Sequence, residues 1–379
     1  MIVAGEASGD AHAAKLVRAL IDSAPETQFE FFGAAGPKMR EARVEAVVQS
    51  DDLSIVGLAE IGRALPMFLR ASKALKRAAL QRKPDAVILV DFPDFNLKLA
   101  KALKKLGFTI IYYISPQLWA WRKYRVSTVK KYVDLMIAIL PFEKDWYARH
   151  GVTNVEYVGS PLAREIHADR PKDVWCGANG LDPSKPVVSL LPGSRHKEIV
   201  RILPVLIEAA AKIIAVRPEV QFLIAIGSKK NRRDVDEAIR SATVDPPNIL
   251  KVVEGETYEA LNASDVAAVT SGTATLETGI IGTPMVIVYK TSTINYALLE
   301  PLISVEHYGL INLIAGERVA TELIQQDFTA ATVTAELLRL MRPDVNLAMR
   351  EKLRITAEKL GHGGASKRAA AAVLRLIGE

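Results

Sequence analysis

Residues 86–114 read AVILVDFPDFNLKLAKALKKLGFTIIYYI. Five apolar residues, Ala86–Val90, make a short buried strand. A turn rich in Asp, Phe and Pro follows. Asn96–Leu106 then shows the apolar spacing of an amphipathic helix, and Thr109–Ile114 is a second apolar run rich in β-branched and aromatic residues. Strand, helix and strand within thirty residues describe a crossover unit, and such units build parallel sheets covered by helices.

The same rhythm extends in both directions. Toward the N-terminus, strands are expected at Ile2–Ala4 and Phe29–Gly33, with a helix at His12–Ser23. Toward the C-terminus, strands are expected at Leu135–Ile139 and Val155–Val158, with a helix at Pro141–His150. A polar stretch, HADRPKDVWCGANGLDPSKP (167–186), reads as a linker. Strands resume at Val187–Leu191, Gln221–Ile226, Ile249–Val253, Val266–Thr270 and Pro284–Tyr289, and the chain ends in helices. The expected fold is α/β: two Rossmann-like, doubly wound domains. The first spans 1–165. The second spans 166–349. In such sheets ligands gather beyond the carboxyl ends of the strands, which points to a site between the two domains.

The chain has 379 residues, 49% of them hydrophobic and 24% charged, which suits two globular domains and excludes a disordered or fibrous protein. One cysteine, Cys176, excludes an internal disulfide framework and a cysteine zinc site. No basic leader and no apolar run long enough to span a bilayer is visible, so a soluble or peripheral protein is expected. The net charge of +6 suits either an ordinary basic protein or one with an anionic partner. Lys and Arg are spread over both halves, and acidic residues sit in the loops that would meet phosphate. Both features weigh against a nucleic-acid partner. The six histidines are scattered without metal-ligand spacing.

Six loops carry the chemistry. GEASGD (5–10) follows the first strand. Ser8 or Asp10 is placed to cap the next helix, and Glu6 suits a sugar hydroxyl or a proton relay better than a phosphate. Asp91 lies just beyond a buried strand, where a carboxylate is placed for general-base work, and Asp94 reads as a helix cap. SPQLWAWRKYR (115–125) sets Trp119 and Trp121 beside Arg122, Lys123 and Arg125. That pattern suits stacking on a sugar, a membrane interface or core packing. LPGSR (191–195) is a strand–turn–helix whose Gly193, Ser194 and Arg195 are suited to an anion. SGTATLE (271–277) opens a helix with Ser271, Gly272 and Thr273 and puts Glu277 one turn on. A diphosphate at the helix start and a ribose on the carboxylate make a coherent nucleotide site. Asn312, in NLIAGE (312–317), bonds either to substrate or to backbone.

Residues 57–83 form a basic, apolar stretch. Met67, Phe68 and Leu69 cluster beside Pro66, followed by Arg70, Lys73, Lys76 and Arg77. It reads either as a surface helix or as a contact for an anionic membrane.

GEASGD, DFPDFN, SPQLWAWR, PFEK, LPGSR, SGTATLE and NLIAGE occur in that order, and the series resembles the lipid-A-disaccharide synthase family of glycosyltransferases. The resemblance implies a GT-B fold and an inverting transfer without metal or cofactor. The donor would be UDP-2,3-diacylglucosamine and the acceptor 2,3-diacylglucosamine 1-phosphate. The products would be UDP and a β-1,6-linked disaccharide phosphate. Asp91 would be the base, with Glu6 and Asn312 lining the site. Gly193, Ser194, Arg195, Ser271, Gly272, Thr273 and Glu277 would hold the UDP-sugar. The lipid substrate favours the membrane reading of 57–83, with Met67, Phe68, Leu69, Arg70 and Lys73 as the contact. The resemblance also implies that the terminal helices, from about 350 to 379, rejoin the first domain, and it implies a peripheral protein at the cytoplasmic face of the inner membrane and a tendency to domain-swapped dimers. The nearest alternatives are other GT-B proteins using UDP-amino sugars, among them a peptidoglycan N-acetylglucosaminyltransferase and a UDP-N-acetylglucosamine 2-epimerase.

Overall fold

The structure is a computed structural model that describes residues 1–50, 61–242, 250–292 and 305–378. Residues 57–60 of the basic stretch and Ile249 of one expected strand lie outside the described residues. The chain divides into two compact units. One comprises Met1–Pro161 with His362–Glu379, the other Leu162–Gly361.

The first unit holds seven parallel strands: β1 (Ile2–Ala4), β2 (Phe32–Ala35), β3 (Glu45–Gln49), β4 (Val87–Val90), β5 (Ile110–Tyr113), β6 (Leu135–Ala138) and β7 (Val155–Tyr157). Their order is β3-β2-β1-β4-β5-β6-β7. Strand β4 shows why VILV is apolar throughout. Val87 and Leu89 enter the core on one face of the sheet, and Ile88 and Val90 enter the core on the other. A strand buried on both sides carries no polar alternation, and each such side chain contributes about 1.5–3 kcal/mol.

The second unit holds six parallel strands: β8 (Val187–Leu191), β9 (Gln221–Ile226), β10 (Leu250–Glu254), β11 (Val266–Thr270), β12 (Met285–Tyr289) and β13 (Glu322–Ile324). Their order is β10-β9-β8-β11-β12-β13. Each sheet therefore reverses direction once, between β1 and β4 in the first unit and between β8 and β11 in the second. Crevices open at such switch points. The last residues of β1 and β4, Ala4 and Val90, lie side by side, and Leu191 at the end of β8 lies beside Val269, one residue before the end of β11.

Several elements differ from the sequence reading. Strand β2 is FGAA, three residues later than expected, while Phe29 and Phe31 stack on each other, their ring centroids 5.5 Å apart. Strands β3 and β13 were not anticipated. Both are sheet edges, β3 with polar ends and β13 only three residues long. Part of the stretch read as a linker is a helix, Lys172–Ala178. It buries Trp175 and ties it to Glu256 through an indole hydrogen bond of 2.8 Å. The first unit ends at Pro161, and the chain returns to it at His362, later than the expected 350. The helix Pro343–Glu358 stays with the second unit, where Arg350 donates to the carbonyls of Gly282, Ser264 and Asp265. The final helix, Ala365–Ile377, lays small residues (Ala369, Ala370, Ala372) into the core beneath the first sheet, and Arg368 donates to the Val158 carbonyl at 2.8 Å.

Candidate active site

In the first unit, Gly5 and Glu6 leave β1 while Asp91 leaves β4, so both carboxylates stand at the switch point. The helix after β1 begins at Ala7, earlier than expected, with Glu6 in the cap position and no side-chain cap. Neither Ser8 nor Asp10 caps it. Asp10 reaches across the chain instead and accepts the amides of Gly36, Lys38 and Met39, capping the helix Pro37–Glu41. Glu6, exposed and free of capping duty, remains available to a ligand.

Asp91 and Phe92 both adopt left-handed backbone conformations, with φ of 48° and 50°. Non-glycine residues rarely do so, and such positions persist only where the surroundings hold them. Three bonds hold this one. The Asp91 amide donates to the Tyr113 carbonyl at 3.0 Å. The Asp91 carbonyl accepts the Tyr112 hydroxyl at 2.6 Å and the Asn96 side-chain amide at 2.8 Å. Gly5 makes room, since a Cβ there would lie 2.2 Å from the Phe92 ring. Phe92 in turn packs against Phe68 and Phe95. The main chain is pinned, so the Asp91 carboxyl projects from a fixed base. Burial raises its pKa to about 6, and the charge of Glu6 adds to the rise, against a lowering hydrogen bond from the Phe92 amide. A carboxylate tuned in this way is ionised at neutral pH yet basic enough to take a proton.

Asp94 is not a helix cap. The helix begins at Pro93, and Asp94 pairs with Arg122 at 2.7 Å and Arg125 at 2.5 Å. Trp119 is buried and donates to Glu143 at 3.1 Å, while Trp121 is 41% exposed. Glu143, the acid of PFEK, carries a role the sequence reading missed. Fully buried, it also accepts the Ile139 and Leu140 amides. Burial raises its pKa to about 7 in spite of these donors. The neighbouring Ser115 hydroxyl donates to Tyr147 at 3.0 Å. A Glu five residues beyond a strand end gave no sequence sign of this burial.

In the second unit, the LPGSR loop follows β8 and the SGT turn follows β11, again at the switch point. The helix Thr273–Ile281 starts without a side-chain cap. Gly272 holds φ 147° at its N-terminus, with open space where a Cβ would stand. Gly272 and Thr273 are exposed, so the first amides of this helix face solvent with the positive end of the helix dipole. Glu277 is half-buried one turn on, its pKa raised by burial. Tyr258, unremarked in the sequence, stands near enough for the Glu277 charge to raise its own pKa, after burial.

Two assignments change here. The amides of Ser194 and Arg195 already donate to Glu198, at 3.1 and 3.2 Å, and the Arg195 guanidinium meets the other oxygen of that carboxylate at 2.9 Å. The backbone cradle of this loop is thus filled by its own capping residue. The 78% exposed Arg195 side chain, next to Ser194 and Gly193, is what the loop offers an anion. Asn312 is no ligand contact. It is fully buried, donates to the Ala320 carbonyl and to Glu322, and accepts the Ala320 amide. Glu322 also accepts the amides of Tyr308 and Gly309, and Ser271 donates to the Tyr308 carbonyl at 2.7 Å. NLIAGE therefore supports the SGT turn from behind.

The basic stretch forms the helix Ile61–Arg82, which is too polar to cross a membrane. Among the described residues no helix is long and apolar enough to do so. Met67 and Phe68, expected as a membrane tip, pack against the core, with Phe68 5.9 Å from Phe95. Leu69 is 63% exposed. Arg70, Lys73, Lys76 and Arg77 line an open groove of about 640 Å³ with Leu80 and Leu106. Among the described residues no group of three or more His, Cys, Asp or Glu side chains is arranged to hold a metal ion.

A family model described as lipid-A-disaccharide synthetase matches residues 1–376. The lipid-A-disaccharide synthase of Trichlorobacter lovleyi is 42% identical over 378 residues, covering 100% of this chain and 97% of its own length. That of Geobacter sulfurreducens is 40% identical over 380 residues, with the same coverage. Among solved structures, a putative UDP-N-acetylglucosamine 2-epimerase from Listeria monocytogenes superposes with a TM-score of 0.67 at 16% identity, over 100% of this chain and 95% of its own. The calicheamicin glycosyltransferase CalG4 superposes with a TM-score of 0.58 at 17% identity, over 100% and 98%. At such identities the structural likenesses speak for the fold, which is GT-B.

Proposed function

The chain belongs to the lipid-A-disaccharide synthetase family, glycosyltransferases of lipid A biosynthesis, and from that premise we propose that it joins UDP-2,3-diacylglucosamine to 2,3-diacylglucosamine 1-phosphate with inversion. The observation that carries this reading is the placement of Asp91: a basic carboxylate on a pinned main chain at the switch point of the first sheet.

In this mechanism the Asp91 carboxylate takes the proton of the acceptor's 6-hydroxyl. The oxygen attacks the anomeric carbon of the donor from the face opposite UDP. The carbon–oxygen bond to UDP breaks, and its electron pair leaves on the diphosphate. One base and in-line attack invert the configuration. Charge growing on the departing diphosphate is met by the open amides of Gly272 and Thr273 and by the Arg195 guanidinium. Glu277 holds the ribose diol. Glu6 keeps the proton affinity of Asp91 high by its negative charge.

The exposed face of the helix Ile61–Arg82 provides the approach to lipid. Leu69, Leu80 and Leu106 are exposed apolar residues among Arg70, Lys73, Lys76 and Arg77. Apolar side chains ringed by cations bind anionic bilayer surfaces peripherally, each cation near the surface adding about 1 kcal/mol. The inner-membrane surface is the one this reading calls for.

A turnover assay with the two diacylated sugars and a mass readout tests the proposal. The expected product is the acylated disaccharide phosphate, with UDP released in equal amount. Conversion of an unacylated UDP-sugar to its 2-epimer, without disaccharide, would replace the proposal with the epimerase reading.

A further inference from the structure

Trp121 and Arg122 belong to no step derived above, yet they sit on a loop tied to the helix that follows the base. Trp121 is 41% exposed, a large area for an indole in a chain with four tryptophans. The Arg122 guanidinium lies over its ring, 4.1 Å from the centroid. Arg122 adopts a left-handed backbone with φ 56°. The loop is anchored on both sides: the buried Trp119 bonds to Glu143, and Arg122 and Arg125 both grip Asp94. Asp94 lies three residues beyond Asp91, in the first turn of the helix that begins there. The same Arg125 and Asp94 act electrostatically on the Tyr112 hydroxyl that clamps the Asp91 carbonyl.

Two guanidiniums share one carboxylate, and the exposed Lys123 adds a further cation, so the loop keeps a positive excess. Arg122 covers one face of the indole, and Trp121 still keeps 41% of its surface exposed. A pyranose offers an apolar face of ring C–H groups to an aromatic plane, and a phosphate offers two oxygens to a guanidinium. A glucosamine 1-phosphate carries its phosphate on C1 and its 6-hydroxyl arm on C5, the two carbons that flank the ring oxygen. A clamp for the phosphate therefore belongs close to the base, and Arg122 is paired with Asp94, three residues beyond Asp91.

We propose that Trp121 and Arg122 form the acceptor subsite, the indole stacking on the amino-sugar ring and the guanidinium holding its phosphate. This rests on the transferase reading above and names where its second substrate binds. Neither side chain belongs to the hydrophobic core, so their removal leaves the core intact.

The test compares Trp121→Ala, Trp121→Phe, Arg122→Ala and Arg122→Lys with the parent protein. It uses acceptor and donor KM, and binding of micellar diacylglucosamine 1-phosphate and its dephosphorylated form by calorimetry. The alanine variants should raise the acceptor KM and weaken acceptor binding roughly tenfold, with donor KM unchanged. Trp121→Phe and Arg122→Lys should restore part of the loss. The Arg122→Ala effect should vanish on the dephosphorylated ligand. Equal acceptor binding by parent and alanine variants, while the parent turns over, overturns the subsite and leaves the transferase reading intact. Acceptor binding that is lost in the variants, from a parent that makes no disaccharide, upholds the subsite and removes the reaction. A loss confined to anionic vesicles makes the loop a membrane contact and overturns the proposal, and so does a parent that binds neither sugar.

Discussion

The Tyr112 hydroxyl donates to the main-chain carbonyl of Asp91 at 2.6 Å, so a buried side chain of β5 fixes the backbone of a residue that has just left β4. The carbonyl keeps a second donor in Asn96. Tyr112→Phe should therefore cost only about 1 kcal/mol of stability. It releases a residue with φ 48°, and turnover should fall roughly tenfold because a small misplacement of a catalytic group is costly. A melt and a kcat measurement separate the two effects. Unchanged kcat would show that the clamp does not position the carboxylate.

Burial first, and Glu6 second, raise Asp91 to about 6. A base must be ionised to act, so kcat/KM should rise with pH through about 6 and level off above it. Glu6→Gln removes the negative neighbour and leaves the burial. The acidic limb should move to lower pH, with activity gained on its acid side. A limb that stays in place would mean that Glu6 does not act on Asp91 through its charge.

The Arg195 side chain is 78% exposed and pairs with Glu198, while the amides of Ser194 and Arg195 are taken by that same carboxylate. On the proposed reading, the guanidinium is what the loop offers to UDP. Arg195→Ala should leave the melting temperature nearly unchanged and weaken UDP binding by about 1.5–3 kcal/mol, the worth of a hydrogen bond to a charged group. Calorimetric titration with UDP reads this directly, and equal affinity would take Arg195 out of the donor site.

Glu143 is fully buried with its pKa raised to about 7. A raised carboxylate pKa means that the folded state holds a proton which the unfolded state releases near its ordinary value of 4.5. The contribution is fully present below that value and is lost as pH rises through about 7. Over that window the loss is on the order of 3 kcal/mol. Glu143→Gln cannot ionise, so its melting temperature should fall less than the parent's between pH 5 and 8. Parallel melting curves for the two proteins would refute a buried titrating Glu143.

Where the chain spoke plainly, the signal was local. Val187–Leu191 and Val266–Thr270 are five-residue apolar runs, and both form strands over those same residues, because a strand covered on both faces has no other way to read. The position of Asp91 at a strand end was equally visible. What stayed hidden depends on partners far along the chain. Asp10 caps a helix 26 residues away, which a motif reading of GEASGD cannot show. Asn312 is absorbed by Ala320 and Glu322, so a polar residue in an apolar loop turned out to brace the SGT turn. Phe68 packs against Phe92 and Phe95 while Leu69 stays exposed, since helical spacing turns two neighbours on a helix to different sides. The burial of Glu143 was invisible for the same reason, as it follows from the packing of Trp119 and two main-chain amides.

The central claim is that Asp91 removes the acceptor's proton, and Asp91→Asn tests it most directly, because the amide keeps the shape and cannot take the proton. Measured with the two diacylated sugars, kcat should fall by about a thousandfold, with UDP affinity and thermal unfolding retained. Turnover within about tenfold of the parent, in a folded variant that still binds UDP, would contradict the account.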